Sequence, residues 1–238
     1  MTVDLFWVLL GASYLLALAV QQQLLATHRK WENIRNSAGL TGVQTAQTIL
    51  DANSMGDVSV KVVPGRLTDH YDPRDKTVAL SESVYANQSV AATAIAAHEV
   101  GHAIQHKAGY AYLRARTAMA PVARFAARYG IPAAIFGSLL GMPALTDIGV
   151  LSFVGAFAFQ IVTLPVEFDA SRRALAELDR LQMINHEERR GARSMLRAAA
   201  MTYVAGAASA AVYVVYLALV VGRFLLGKPP PVPPPRLP

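Results

Sequence analysis

Long apolar runs alternate with polar stretches along this chain. The first apolar run extends from Leu5 to about Leu25, behind Asp4 and ahead of His28-Arg29-Lys30. It is just long enough to cross a bilayer, with Gln21-Gln22-Gln23 at the interface. A cleaved leader would carry its basic residues in front of the apolar run, so residues 1–27 read as an N-terminal transmembrane anchor. Trp31 to Gly39 is a polar connector. Thr41 then starts a helix, because Val43, Ala46, Ile49 and Leu50 recur at helical spacing and Asn53 to Gly56 stop the pattern. Val58–Val63 alternates as a strand does, and Pro64-Gly65 turns the chain. Leu67–Pro73 reads as a polar loop, Thr77–Leu80 as a second short strand and Ser81 as a cap. Ser89–Lys107 is rich in alanine and free of proline, which predicts a helix.

Beyond Gly109 comes a basic stretch with Arg114, Arg116, Arg124 and Arg128. Two apolar runs follow, about Tyr129–Leu145 and Ile148–Val166, and predict a transmembrane hairpin over 129–166 that turns near Thr146-Asp147. Pro132 and Pro143 predict a kinked or partly re-entrant first arm. Residues 167–202 are charged and helical, and 203–227 form a last span with Gly206, Ala207, Ala210 and Ala211 as small packing positions. Residues 228–238 are mostly proline and predict an extended, disordered tail. The fold class is therefore mainly α, a membrane protein with about four transmembrane helices and a small α+β domain over 28–128.

Composition agrees, with 53% hydrophobic and only 16% charged residues. The formal charge of +6 would suit nucleic acid, but its placement decides otherwise. Lys and Arg number 12 in residues 28–128, 7 in 167–200 and 3 after the last apolar run. Four spans put the first two groups on one side, and that side is expected to be cytoplasmic. The chain then reads as a multi-pass protein of the cell membrane, its positive charge serving topology and attraction to membrane lipid. Nucleic acid is excluded as a partner for want of aromatic or motif support. An oligomer or a regulatory partner stays open.

The chemistry concentrates in Ala96–His106, which contains His98-Glu99-Val100-Gly101-His102. On a helix, four residues advance about 400°, so the two imidazoles sit about 40° apart and about 6 Å along the axis. Both can reach one metal ion, and Glu99 stands beside them as a base for a water. With no cysteine in the chain, any metal must be held by His, Asp or Glu. Zinc suits two neutral imidazoles, a carboxylate and an open position for water. His106 cannot be the third ligand, since eight residues place it about 80° round and about 12 Å along from His98. His106 and His28 read as solvated or capping histidines. Glu167, directly after the third apolar run, is the better placed third ligand, and Asp169 is a candidate to orient an imidazole. For the oxyanion of a tetrahedral intermediate, His70, Tyr71, Arg172 and His186 are candidate donors. The strand Val78–Leu80 is a candidate edge for pairing with an extended substrate.

His98-Glu99-Val100-Gly101-His102 together with Glu167-Phe168-Asp169-Ala170 resembles the gluzincin zinc metallopeptidases. The wider wording, from Leu67–Pro73 through Ala96–His106 to Leu164–Arg173, resembles the bacterial membrane-bound neutral zinc metallopeptidases called YugP-like, over most of the chain apart from the tail. The resemblance implies a zincin-like domain with Zn2+ as cofactor, His98, His102 and Glu167 as ligands, and Glu99 as base. It also implies hydrolysis of peptide bonds in protein or peptide substrates in or near the membrane. HtpX-like membrane proteases carry Glu-x-x-x-Asp after the third span, and here the fifth position is Ser171. Asp169 is the expected substitute. The alternative is a non-catalytic zinc-binding membrane scaffold or adaptor, and an intact Glu99 argues against it.

Overall fold

The computed structural model describes residues 2–225, so the proline tail and residues 226–227 of the expected last span lie outside the described residues. Chain order is α1 (Thr2–Glu32), α2 (Gly42–Ala52), β1 (Ser59–Val63), β2 (His70–Asp72), β3 (Thr77–Ser81), α3 (Glu82–Tyr85), α4 (Val90–Lys107), α5 (Ala111–Leu139), α6 (Pro143–Arg180) and α7 (His186–Leu225). The helix starts follow local chemistry. Thr41 and Gln44 form a reciprocal capping box on α2, and the Ser89 hydroxyl accepts from the Ala92 N–H on α4. The connector between α1 and α2 is pinned by Glu188 of α7, which accepts from the Ser37 N–H and hydroxyl at 2.6 and 2.8 Å.

The core surrounds α4. Its Ala94, Ala97 and Val100 are buried against Ile49 and Leu50 of α2, Val78 and Leu80 of β3, Leu178 of α6 and Met195 of α7. Alanine along α4 lets these elements approach closely. Gly101 marks the tightest point, where an added Cβ would lie 2.6 Å from the Ala170 carbonyl oxygen of α6. A Gly101→Ala protein is therefore expected to push α4 from α6, at a cost of about 1–3 kcal/mol. A thermal melt and a zinc determination check this, and an unchanged melting temperature would show that α6 gives way freely.

The three strands form one sheet in the order β1-β3-β2, with β1 parallel and β2 antiparallel to β3. Two expectations change here. Residues 70–72 of the anticipated loop form the edge strand β2. β3 is the fully buried central strand, so Val78–Leu80 is no free edge, because both of its sides already carry ladder bonds.

The apolar hairpin also turns elsewhere. Gly141 takes a positive φ of 63° and Pro143 begins α6, while Thr146 and Asp147 lie inside that helix. Proline suits the first helical turn, where its missing N–H costs nothing. α5 and α6 then pack at backbone distance. A Cβ on Gly149 would meet the Ala134 nitrogen at 2.3 Å, and one on Gly137 would meet the Thr146 nitrogen at 2.4 Å. α6 runs unbroken through Pro165 and Glu167, so the third apolar run and the charged segment after it are one helix.

Among the described residues, three helices are long and apolar enough to cross a membrane: Leu5–Glu32, Pro143–Arg180 and His186–Val215. The expected fourth span falls in α5. Its arginines leave 129–139 as the longest stretch free of charge, roughly 17 Å of helix. Large apolar side chains stay exposed on these helices, including Trp7, Leu15, Ile135, Leu139, Leu151 and Ile161. Exposure on that scale marks a surface made for something other than water.

Candidate metal centre

His98 and His102 stand one turn apart on α4, their ring centroids 4.7 Å from each other. The close crossing at Gly101 brings Glu167 of α6 over them. Its Oε2 lies 3.3 Å from His98 Nε2 and its Oε1 3.8 Å from His102 Nε2. One ligand atom from each of the three residues falls within 4.8 Å of the others, a group that could hold a metal ion.

The surroundings fit a cation. Glu167 is 3% exposed, and its Oε1 has no hydrogen-bond donor among the described residues. Arg116 of α5 brings Nη1 to 3.1 Å from that oxygen without hydrogen-bond geometry. Both histidines are engaged on their far nitrogens, which leaves the Nε2 lone pairs for a metal. Gln105 donates its Nε2–H to the Val166 carbonyl at 2.8 Å and to Asp169 Oδ2 at 2.9 Å, so its Oε1 must face His102. His102 Nδ1 therefore donates to Gln105 Oε1 at 3.0 Å. His98 Nδ1 lies 3.3 Å from Ser171 Oγ.

Charge supports the same assignment. Burial, with the neighbouring His98, pushes the His102 imidazole down to about 4, so it stays neutral and able to ligate. Burial works against charging His98 too, but Glu167 and Glu99 outweigh it and hold that imidazole above its usual range. A proton there competes with a metal, so zinc binding weakens as pH falls. Burial pushes Glu99 up to about 7.

These distances point to a zincin site, and sequence comparison decides the family. The profile described as "Putative neutral zinc metallopeptidase" matches residues 6–222. The chain belongs to this family. A relative, "Putative membrane protease YugP" of Bacillus subtilis (strain 168), is 42% identical over 205 residues, covering 85% of this chain and 90% of the relative. No solved structure matches. The cofactor is accordingly Zn2+, in keeping with the His-His-Glu group.

The other expected site residues fall into two sets. Asp169 accepts from Gln105, whose Oε1 faces His102, and it also accepts from Arg172 and from Arg173 Nε at 2.6 Å. Ser171, at the fifth position counted from Glu167, stands beside His98. The remaining candidates are exposed or bonded to other residues. Arg172 is 73% exposed and pairs with Asp169. His186 is exposed at the start of α7. His70 is exposed with Nδ1 at 2.8 Å from the Thr68 carbonyl, and the Tyr71 hydroxyl bonds His106 Nδ1 at 2.8 Å. His106 thus anchors β2 to α4. His28 is buried, not solvated, with Nδ1 3.3 Å from Glu32.

Two groups near the metal centre come from parts of the chain with no motif. Arg116 lines a cavity of about 690 Å3 between β2, α5 and α6. Tyr203 of α7 lines a second cavity of about 230 Å3 together with His98, Glu99 and Glu167. Gln105 offers the cleanest test of the supporting contacts. Gln105→Leu removes the acceptor that fixes the His102 tautomer, and zinc affinity is expected to fall about 10–100-fold. Competition with a chelator of known zinc affinity measures this, and an unchanged affinity would remove Gln105 from the centre.

Proposed function

We propose that the chain is an integral membrane zinc-dependent endopeptidase of the cell membrane that hydrolyses peptide bonds of membrane or membrane-proximal proteins. The observation that carries this is the buried His98–His102–Glu167 group with Glu99 beside it, facing a cavity at the level where α6 and α7 become apolar. Zinc in that group supplies Lewis acidity to a water and to the scissile carbonyl. Glu99 accepts the proton of the attacking water and then donates it to the leaving amine. Arg116, 3.1 Å from Glu167 Oε1, and Tyr203, which lines the cavity with His98, Glu99 and Glu167, are the donors assigned to the oxyanion in this reading. β2 is bonded on one side only, so its outer side offers backbone groups to an extended substrate.

A four-segment topology supports a cytoplasmic site. α5 and α6 pack as an antiparallel pair, which supports a reading in which α5 enters the bilayer alongside α6. Its uncharged stretch 129–139 spans about half of a 30 Å core, while Arg124 and Arg128 reach back towards the surface. The hairpin then returns the chain to the side it left, and α4 and the charged half of α6 share the basic, cytoplasmic side.

The test is to compare membrane-fraction proteomes from cells carrying wild-type protein and Glu99→Gln. Membrane proteins or segments close to the bilayer are expected to accumulate uncleaved in the variant. Identical cleavage products in both would sink the peptidase reading.

A further inference from the structure

A third cavity, of about 520 Å3, lies between α6 and α7. Arg189, Arg193 and Arg197 follow one another at four-residue spacing, so they share one face of α7, and all three line it. Arg172 of α6 lines it as well, against a single carboxylate, Asp179. Asp179 is taken by Arg189 at 2.7 Å, and Arg172 is paired with Asp169. Arg193 and Arg197 have no acidic partner among the described residues, and both are exposed. Like charges four residues apart on a helix repel each other. An unpaired pair of guanidinium forks in one groove matches the oxygens of a phosphate.

The rest of the groove is apolar and points towards the bilayer. Its floor includes Leu175 and Leu196, and Phe168 and Ala200 close the end nearest the apolar parts of α6 and α7. Phe168 is 49% exposed there. Arg197 stands six residues, or about 9 Å, before the apolar run that begins at Tyr203. Residues 198–202 are uncharged as well, so the charge-free stretch starts directly after Arg197 and leaves Arg197 and Arg193 about 1.5 and 7.5 Å outside it, within a polar layer about 5–8 Å thick on each side of a bilayer.

We propose that this groove is a binding site for an anionic phospholipid, with its phosphate held between Arg193 and Arg197 and its first methylenes along Leu196, Ala200 and Phe168. The site rests on α6 and α7 crossing a bilayer, not on peptidase activity. Ser171, the neighbour of His98 Nδ1, also lines the groove, so the bound lipid abuts the helix turn behind the metal centre.

The test uses full-length protein purified in detergent and delipidated, with lipid binding read by native mass spectrometry. Wild-type protein is expected to retain phosphatidylglycerol at least about tenfold more tightly than phosphatidylcholine. The R193Q/R197Q variant is expected to lose that preference by about tenfold or more. A control, R66Q/R190Q, removes the same charge outside the groove and is expected to bind as wild type does. Thermal melts of all three confirm folding. Equal retention of the two lipids, or the same loss in the control, would overturn the site in favour of diffuse attraction. Inorganic phosphate or a glutamate-rich peptide binding as tightly as phosphatidylglycerol would overturn the lipid assignment. Turnover plays no part in this readout, so an inactive peptidase leaves it intact. Release of the protein from membranes by alkaline carbonate would instead sink the bilayer reading beneath it.

Discussion

A Glu99→Gln protein is expected to keep its zinc and its fold while losing about 10²–10⁴ of its peptidase rate. The amide matches the carboxylate in shape, so the packing of α4 against its neighbours is undisturbed. It cannot take a proton from water or hand one to a leaving amine. Glu99 is 7% exposed, so an uncharged amide there costs less desolvation than the carboxylate it replaces. The pH profile gives a second readout. Burial pushes the free Glu99 carboxyl up to about 7. A base works above its pKa, and a dication alongside favours the charged carboxylate. The wild-type rate is therefore expected to rise with pH along an acid limb centred at or below 7, and the residual activity of the variant should lack that limb. Cleavage of a fluorogenic peptide in detergent, with zinc measured per chain, checks all three. A variant within about threefold of the wild-type rate contradicts the base role, as does zinc lost in step with the rate.

Much of this arrangement was legible because local chemistry dictated it. The Thr41 capping box, the Ser89 cap and the alanine-rich stretch from 90 to 107 specify α2 and α4 without tertiary help. The helical spacing of His98 and His102 puts both imidazoles on one face, and Glu167 met them because a carboxylate at the end of an apolar run faces a high cost unless paired. The misreadings share a different cause. Gly141-Met142-Pro143 and Thr146-Asp147 are both competent turns inside one apolar region, and only the backbone contact of α5 with α6 selects the first. β3 looked like an edge because sheet order depends on partners far away in the chain. Ser171 was seen only as a missing aspartate, although it lies one helical turn after Glu167. Gln105 sits three residues after His102, a spacing that signals a contact, but any polar side chain there would read the same way. Arg116 and Tyr203 carry no local signal at all, since long helices deliver them to the centre. Buried histidines mislead in the same way, as His28 does through its pairing with Glu32.

Glu167→Ala is expected to abolish zinc binding, with affinity falling by more than about 100-fold, beyond the range seen when only a supporting contact is lost. Two imidazoles one turn apart remain, but the anion that balances the dication has gone. The change has a second consequence. Arg116 is 27% exposed and loses the carboxylate at 3.1 Å, so a largely buried cation is left without its partner. The alanine protein should therefore melt lower than wild type even with zinc absent from both. Ligation and folding can be separated by two companions. Glu167→Gln keeps the volume and a weak carbonyl donor, and should still bind zinc far less well than wild type. Glu167→Ala combined with Arg116→Leu removes the stranded cation, so its melting temperature should recover while its zinc stays lost. His98→Ala and His102→Ala should match the zinc loss without the Arg116 effect, because neither strips the arginine of its carboxylate. Full zinc retention in Glu167→Ala would take the third ligand away from α6. The link that α6 makes between the metal and the membrane-spanning helices would go with it, because Glu167 is the ligand borne on a helix that continues into the apolar hairpin.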